Sequence, residues 1–377
     1  MTLRSLPLDS LPVVGVLDQE LTGKGVVWRR LPAWTRPQLV DPGLQLVVQM
    51  PSGVRLELRT TSTVLELDAA LTAIQVGDLP FNPPAFDLVV DGELKATVTT
   101  QDHQTIRIVA PGDFQVLPGG TATIRFDLPG DLDHVVEVWL PHAATFELLD
   151  VRVSEGATVE PARRARRRWV HHGSSISHCL EATSPTGTWP AIAARLADVD
   201  LLSLGFGGQC MLDQHVARTI RDTEADLISV KAGINIVNGD TMRERTFRAA
   251  LHGFLDTMRD GHPRTPLVVA TPIVCPTAEE QPGPTALQAD GRWHVVPRPE
   301  ALAVGSLSLQ RIRELITEIV TTRRDGGDTA LHLVDGLQLF GHDDVAMLPD
   351  GLHPDAAGYR LIGERFHRLA FAGPFSA

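Results

Sequence analysis

The sequence contains little cysteine: Cys179, Cys210 and Cys275 are the three in 377 residues. An odd and sparse set cannot form a disulfide framework, and none of the three stands in the Cys-x-x-Cys spacing that is common in zinc sites. A reducing compartment suits such a chain. The sequence therefore predicts a cytoplasmic protein without a structural metal.

Long apolar runs are absent as well. No segment approaches the roughly 18 apolar residues that a membrane-spanning helix needs. Asp9, Pro12 and Asp18 interrupt the apolar stretches near the N-terminus, so the continuous apolar centre of a secretory signal is missing. The sequence predicts neither a secretory signal nor a membrane partner.

The sequence also lacks an excess of positive charge. The formal net charge is −12, which argues against DNA or RNA as a partner because a polyanion is repelled overall. Hydrophobic residues make up 43% and charged residues 21% of the chain, a composition typical of folded globular proteins. At roughly 150 residues per domain, a chain of this length predicts about two domains.

The first part of the chain has the pattern of a β-rich domain. From about residue 36 to 160, apolar and polar residues repeatedly alternate with period two, as in strands with one buried face. The alternating segments are 45–50, 54–60, 64–69, 96–100, 105–110, 122–128 and 135–140. Many short strands separated by turn residues predict an all-β domain over residues 1–162, a sandwich of the jelly-roll kind, with a barrel as the alternative.

Residues 163–377 instead show strands that alternate with amphipathic helices. Strands are predicted at 169–173, 200–207, 227–233, 266–273 and 331–336, and helices at 188–198, about 247–258, 312–320 and 355–370. This alternation predicts an α/β domain with a parallel sheet covered on both faces, whose ligands bind at the carboxyl ends of the strands. The Pro-rich stretch 274–300 predicts an excursion or lid near that site.

Two segments carry residues suited to nucleophilic catalysis. Gly173-Ser174-Ser175-Ile176-Ser177 follows the first strand of the α/β half, where a tight turn would expose a serine hydroxyl. Asp350 stands three residues before His353, so its carboxylate can fix the tautomer of the imidazole and stabilise the imidazolium. Each segment alone also has an ordinary interpretation, as a loop after a strand and as a cap on the last helix.

Two further segments can supply hydrogen bonds to an oxyanion. Gly205-Phe206-Gly207-Gly208 follows the second strand, and Gly233-Ile234-Asn235 follows the third. Acyl transfer requires donors aimed at the oxygen that becomes negative, and a glycine amide and an asparagine side chain can both provide one. All four segments fall at predicted carboxyl ends of strands, in the order Ser, Gly, Asn, Asp-x-x-His.

This order of blocks resembles that of the SGNH (GDSL-type) serine hydrolases. The resemblance implies a flavodoxin-like three-layer αβα fold for the second domain. It implies Ser175 as the nucleophile, His353 as the general base and Asp350 as the carboxylate that orients the base. It also assigns the oxyanion hole to Gly208, Asn235 and the backbone N–H of Ser175.

The resemblance covers roughly residues 168–370 and includes two departures. Ser174 stands where the family usually has an aspartate, and Ser203-Leu204-Gly205 replaces the usual Asn-x-Gly opening of the second block. The phrases GSSISH, TWPAIAARLA, LGFGG and KAGINIVNG resemble a subgroup in which GSSIT replaces GDSL, often with a β-rich N-terminal domain.

Three histidines surround Ser175. His171 and His172 are predicted to lie within the strand, whereas His178 is a candidate substrate-binding residue. No carboxylate or cysteine nearby completes a ligand set with zinc-like spacing, so neither a metal nor another cofactor is predicted.

The implied reaction is acyl transfer from an ester through an acyl-enzyme on Ser175. Water as the acceptor would make the protein an esterase, and a hydroxyl would make it an acyltransferase; the blocks do not distinguish the two. The β-rich domain resembles carbohydrate-recognising modules, which favours a small acyl ester or glycoside as substrate. A catalytically degenerate carbohydrate-binding or scaffold protein is the alternative, motivated by Ser174. The oligomeric state stays open.

Overall fold

A computed structural model describes residues 2–77, 79–110, 113–130, 133–162 and 166–376. The chain divides into two compact units, one of Met1–Arg166 with Leu180–Gly187 and one of Arg167–Cys179 with Thr188–Ala377. Residues 163–165, at the predicted boundary between 1–162 and 163–377, lie outside the described part. The structure groups Leu180–Gly187, which the predicted second domain includes, with the first unit.

The first unit consists mainly of strands. They are β1 (Leu3–Ser5), β2 (Val13–Val14), β3 (Asp18–Leu21), β4 (Val26–Arg29), β5 (Arg55–Thr60), β6 (Val64–Val76), β7 (Ala85–Val90), β8 (Glu93–Thr99), β9 (Gln104–Ala110), β10 (Asp113–Leu117), β11 (Thr121–Asp127), β12 (His134–Trp139), β13 (Ala144–Ser154) and β14 (Val159–Pro161).

These strands form two sheets that share a hydrophobic core. One sheet has the order β10-β9-β6-β13-β4-β3, with β1 beside β13 and β11 beside β6, and the other has the order β14-β5-β12-β7-β8, with β2 beside β5. Among their described strands only β6 and β9 pair in parallel. Leu56 and Phe86 from one sheet lie in the same buried cluster as Leu65 and Phe146 from the other. The strand-rich character of this half is confirmed, and the jelly-roll connectivity stays a prediction.

The predicted strand at 45–50 is wrong, because a helix, α1 (Pro42–Val48), occupies most of that segment. The Oδ1 atom of Asp41 accepts a hydrogen bond from the backbone N–H of Leu44 at 3.0 Å. A capping carboxylate followed by proline at the first helical position favours the start of a helix. The local capping signal therefore outweighs the alternation that predicted a strand.

The second unit alternates strands and helices, as predicted. Its strands are β15 (Arg168–Gly173), β16 (Asp200–Gly205), β17 (Leu227–Lys231), β18 (Leu267–Ala270), β19 (Thr285–Leu287), β20 (Trp293–Val295) and β21 (Leu331–Val334). Its helices are α2 (Ser175–His178), α3 (Trp189–Ala197), α4 (Gln214–Asp222), α5 (Ile234–Asn238), α6 (Glu244–Gly261), α7 (Leu309–Asp325), α8 (Gly336–Leu339) and α9 (Ala356–Phe366), the last followed by a π-helical turn at His367–Phe371.

The parallel sheet of this unit has the order β16-β15-β17-β18-β21. All four pairings between neighbours are parallel, which confirms the predicted sheet type. Numbered along the chain, the order is 2-1-3-4-5, so successive connections leave in opposite directions from β15. In sheets of this kind ligands bind outside the carboxyl ends of the strands at such a reversal.

A helix that spans a membrane needs about 20 predominantly apolar residues. Within the described ranges, no helix has both the length and the apolar character needed to cross a membrane.

Candidate active site

Ser175 lies at the reversal point of the parallel sheet, directly after β15. Gly173 ends the strand, Ser174 is the N-cap residue and Ser175 is the first residue of α2. The Oγ atom of Ser174 accepts a hydrogen bond from the N–H of Ile176 at 3.3 Å. A Cβ atom at Gly173 would lie 2.2 Å from the Oγ atom of Ser177, so only glycine permits this close turn. The turn leaves Ser175 half-buried, while Ser174 is buried.

His353 is in direct contact with Ser175, although 178 positions separate them in the sequence. Its Nε2 atom lies 2.9 Å from the Oγ atom of Ser175, and its Nδ1 atom lies 2.7 Å from the Oδ2 atom of Asp350. Since a carboxylate only accepts, the Nδ1 atom carries the proton in this arrangement and Nε2 is left to face the serine. The three side chains thus form one continuous hydrogen-bonded chain.

Asp350 is held by its own loop as well as by the imidazole. Its Oδ1 atom accepts hydrogen bonds from the backbone N–H groups of Leu352 at 2.9 Å and His353 at 2.7 Å. Burial opposes the charged form of Asp350, but the hydrogen bonds from the ring and the two amides outweigh it and hold the pKa of Asp350 below its ordinary value. Asp350 is therefore ionised at neutral pH.

Gly208 lies in a tight turn after β16. The N–H of Gln209 donates to the carbonyl oxygen of Phe206 at 3.1 Å, which closes a four-residue turn. Gly208 has φ +73° at the third position of that turn, where type II turns require glycine or asparagine. No atom lies within 4 Å of the position that a Cβ of Gly208 would take, so the space beside this residue is open.

Asn235 is fixed at the start of α5, after β17. Its Oδ1 atom accepts a hydrogen bond from the backbone N–H of Cys210 at 3.0 Å, and the residue is buried. That contact determines which way round the side-chain amide lies. Among the described residues the Nδ2 group of Asn235 has no hydrogen-bond partner, so it keeps its donors for a further group.

His178 ends α2 and lies entirely within the protein. Its side chain has no solvent exposure, and its Nδ1 atom accepts a hydrogen bond from the N–H of Gly207 at 3.3 Å. The predicted role of His178 in substrate binding stays a prediction. What the structure gives is a contact between the helix of Ser175 and the turn of Gly208.

The stretch 274–300 contributes a short hairpin, β19 and β20, to the surroundings of His353. The backbone N–H of Trp293 donates to the carbonyl oxygen of Asp350 at 3.0 Å, and the Trp293 ring meets the His353 ring edge-on at 6.3 Å between centroids. The thiol of Cys275 donates to the carbonyl oxygen of Gly351 at 3.5 Å. The sequence motifs do not indicate these supports, because the contacts join segments some 60 to 80 positions apart along the chain.

His171 and His172 lie within β15, as predicted, and both are buried. The His171 ring is hydrogen-bonded to the hydroxyls of Ser229 and Ser177, at 2.7 and 2.8 Å. Within the described part of the chain, no cluster of three or more histidine, cysteine or acidic residues has the arrangement of a metal site.

The GDSL-like lipase/acylhydrolase family matches residues 166–279, which include Ser175, Gly208 and Asn235. No curated protein matches the chain.

Solved structures resemble nearly the whole chain. The salicylyl-acyltransferase SsfX3 from a tetracycline biosynthetic pathway is 28% identical with a TM-score of 0.80, over 98% of this chain and 97% of that one. A structure described as a GDSL-like lipase from Bacteroides ovatus is 19% identical with a TM-score of 0.71, over 100% and 98%. A family two carbohydrate esterase from Clostridium thermocellum, in complex with cellohexaose, is 13% identical with a TM-score of 0.59, over 94% and 97%. The last two likenesses are of fold alone. The family match over residues 166–279 and the likeness to SsfX3 along nearly the whole chain support the resemblance to the GDSL-like (SGNH) lipases and acylhydrolases.

Proposed function

We propose that the protein transfers acyl groups through an acyl-enzyme on Ser175. The observation that carries this proposal is the hydrogen-bonded chain from Ser175 through His353 to Asp350, with contacts of 2.9 and 2.7 Å. A serine hydroxyl needs a neighbouring base to become a nucleophile, and an imidazole needs a partner on its other nitrogen to act as one. The half-buried hydroxyl lies where ligands bind in parallel sheets.

The reaction proceeds in two half-reactions. The Oγ atom of Ser175 bonds to the carbonyl carbon of the donor ester as its proton moves to the Nε2 atom of His353. The leaving alcohol departs as the carbon–oxygen bond breaks and takes that proton from His353. An acceptor hydroxyl, from water or an alcohol, then gives its proton to the Nε2 atom of His353 and bonds to the acyl carbon. The bond between the acyl carbon and the Oγ atom of Ser175 breaks, and His353 returns the proton to Oγ. Asp350 stays ionised throughout and stabilises the imidazolium.

The negative oxygen of each tetrahedral intermediate requires donors. We propose the N–H groups of Ser175 and Gly208 and the side-chain Nδ2 group of Asn235 for this role. The open space beside Gly208 and the unpaired Nδ2 group of Asn235 among the described residues support the assignment. Each such donor contributes about 3 kcal/mol to the stability of the transition state.

The acceptor is proposed to be water or a hydroxyl of a small, glycosylated molecule. Similarity to an acyltransferase along nearly the whole chain supports a hydroxyl acceptor. The fold shared with a carbohydrate esterase supports a sugar-like partner. We further propose that residues 1–162 form a jelly-roll sandwich of the carbohydrate-module type and that residues 163–377 form a flavodoxin-like three-layer domain.

Two assays test the proposal. A fluorophosphonate followed by intact-mass measurement and peptide mapping is expected to label Ser175 alone, and Ser175→Ala is expected to give no adduct. With p-nitrophenyl salicylate as donor, products are then analysed with and without an added aryl glycoside. Acylated glycoside would identify an acyltransferase and free salicylate alone an esterase. Unchanged p-nitrophenyl acetate turnover in Ser175→Ala would rule out the serine mechanism.

The alternative is a catalytically degenerate carbohydrate-binding or scaffold protein, and its basis is that Ser174 replaces the usual aspartate. The hydroxyl of Ser174 caps α2 and leaves the contact between Ser175 and His353 intact, which weighs against degeneracy. Glycoside binding by the full chain, measured calorimetrically, with no turnover of any ester and no fluorophosphonate adduct, would favour the alternative.

A further inference from the structure

Two buried histidines flank Ser175 symmetrically in the sequence, His172 three residues before it and His178 three residues after it. Neither has measurable solvent exposure, and neither is part of the chain of groups proposed to move protons. A buried imidazole is costly unless its nitrogens are hydrogen-bonded. His172 contacts Leu204 and Cys210, and His178 contacts Gly207. These partners lie in one segment, residues 204–210, which comprises the end of β16 and the turn after it.

His172 contacts both ends of this segment, the carbonyl oxygen of Leu204 and the thiol of Cys210. Its Nδ1 atom lies 2.8 Å from the carbonyl oxygen of Leu204, which can only accept, so Nδ1 carries the proton. Its Nε2 atom is therefore the acceptor and faces the Sγ atom of Cys210 at 3.4 Å. Burial lowers the pKa of His172 to about 4 and raises the pKa of Cys210 to about 12, so both groups are neutral. The thiol can donate to the Nε2 atom of His172, and the carbonyl oxygen of Lys231, at 3.8 Å, is its more distant acceptor.

His178 holds the middle of the same segment. Its Nδ1 atom accepts from the N–H of Gly207, the residue before Gly208 in the closed turn. The orientation of the neighbouring peptide, whose N–H belongs to Gly208, follows from the turn that this contact anchors. His178 thus constrains one of the proposed oxyanion donors.

Cys210 links the segment to the other donor. Its thiol is held by His172, and its backbone N–H is bonded to the Oδ1 atom of Asn235 at 3.0 Å. Because Oδ1 is occupied, the Nδ2 group of Asn235 is turned the other way. One short segment therefore carries the Gly208 N–H and also sets the orientation of the Asn235 amide.

We propose that His172, His178 and Cys210 are positioning residues that fix the two amide donors, Gly208 and Asn235, before substrate binds. The proposal rests on the proposed acyl transfer and names residues that act on its rate without touching the substrate. Donors fixed in advance need no reorganisation during the reaction, so loosening them lowers kcat rather than substrate affinity.

A pair of Cys210 variants tests the link to Asn235. Cys210→Ser keeps a hydrogen-bond donor for His172, whereas Cys210→Ala removes it. With p-nitrophenyl acetate we expect Cys210→Ala to lower kcat about tenfold with KM within about twofold, and Cys210→Ser to stay within about threefold of the original kcat. Equal kcat values for the two variants would overturn the proposal.

A double-mutant cycle separates positioning from a general structural effect. If Cys210 acts through Asn235, Cys210→Ala should cost less than about twofold further once Asn235 has been replaced by leucine. A structural effect would instead multiply the two losses. Given a loss of about tenfold in Cys210→Ala alone, a further loss of about tenfold in the double variant contradicts the proposal.

The His178 contact offers an independent pair, which serves if the Cys210 variants do not fold. Asparagine and leucine have nearly the same shape, but only asparagine can accept from the N–H of Gly207. We expect His178→Leu to lower kcat about tenfold and His178→Asn to restore most of it, with KM unchanged in both. No difference between the two variants, or a loss seen only in KM, would overturn the role of His178.

Two further variants, Thr219→Val and Ser175→Ala, distinguish a failure of the positioning proposal from a failure of the proposed function. Thr219→Val removes a buried hydroxyl in α4 that bonds to the carbonyl of His215, and it is expected to leave kcat unchanged. Activity that survives Ser175→Ala refutes the proposed function itself. Activity that depends on Ser175 but shows none of the expected pair differences refutes only the positioning roles.

Discussion

The two sides of the Ser175 site are built differently. On the side of the proposed oxyanion donors, the supporting side chains His172, His178 and Cys210 are buried and follow or belong to elements of the parallel sheet. Their contacts link segments that are between 25 and 38 positions apart. This side is therefore part of the core, and its geometry depends on how the sheet is packed.

The side of the base is partly exposed, and the contact between its two proposed catalytic residues is local. Asp350 and His353 lie three residues apart between α8 and α9, and they contact each other and the amides of their own loop. Outside support comes from the backbone of Trp293 and the thiol of Cys275. Oxyanion donors gain from being immobile, because they then need no reorganisation during the reaction. The buried supports of the donor side suit that requirement.

The largest expected effect does not depend on the difference between the two sides, because it comes from the serine and the base themselves. Ser175→Ala and His353→Gln should each lower kcat/KM for p-nitrophenyl acetate by at least about 10⁴-fold, because the groups of such a chain act as a unit. The double variant should be no slower than either single one. A double variant slower by a further factor of about 100 would show that the two side chains contribute independently.

The next largest loss of kcat is expected from a change on the side of the base. Asp350→Asn should lower kcat about 10³- to 10⁴-fold, because the asparagine can no longer hold the imidazole in its working tautomer and stabilise its charged form. Asp355→Asn is the matched control, since the side chain of Asp355 caps α9 by accepting from the N–H of Gly358. Similar losses in the two variants would remove Asp350 from its proposed role.

A smaller loss of rate, coupled to a loss of stability, is expected on the donor side. Asn235→Leu keeps the shape of the side chain but should lower kcat about 10²- to 10³-fold with little change in KM. It also leaves the buried N–H of Cys210 without its acceptor, which should cost about 1–3 kcal/mol in the free energy of unfolding. Urea denaturation beside steady-state kinetics checks both, and a rate loss without destabilisation would contradict the core-bound description of this side.

The smallest effect concerns the pH dependence of stability. The pKa of Asp350 is lower in the folded than in the unfolded chain, so its ionised form stabilises the fold above the unfolded pKa of about 3.9. That contribution disappears as the pH falls through the lower, folded value. Urea titrations should therefore show that the stability advantage of the original protein over Asp350→Asn is constant from pH 7 to 5 and shrinks below pH 4. A widening gap in acid would reverse the sign of the assigned shift.

The order of elements in the second unit could be predicted from the sequence because each buried strand and each amphipathic helix has its own period. The pairing of Ser175 with His353 came from the resemblance in block order and not from strand ends, because Asp350 and His353 lie beyond α8 and not directly after β21. The helix α4 was not predicted, although its buried Val216, Ala217 and Ile220 have helical spacing. In 45–50, Leu46, Val48 and Met50 fit a period of two, but the helix α1 that begins after the cap at Asp41 buries Leu44, Val47 and Val48.

The supports of the site could not be predicted in this way. His172 lies in a buried strand and Cys210 in a loop 38 positions further along the chain. No local sequence pattern predicts that these two side chains are in contact. The tautomer of His172 depends on the Leu204 carbonyl that the fold places beside it. Such pairings arise from packing of the whole unit rather than from any short motif.

The hydroxyl of Ser174 satisfies the first turn of α2 in the manner of any short oxygen-bearing residue. Aspartate, asparagine or threonine at position 174 would offer a capping oxygen of the same kind. A search for the fixed tripeptide Gly-Asp-Ser would overlook this chain, in which the hydroxyl of a serine supplies that oxygen.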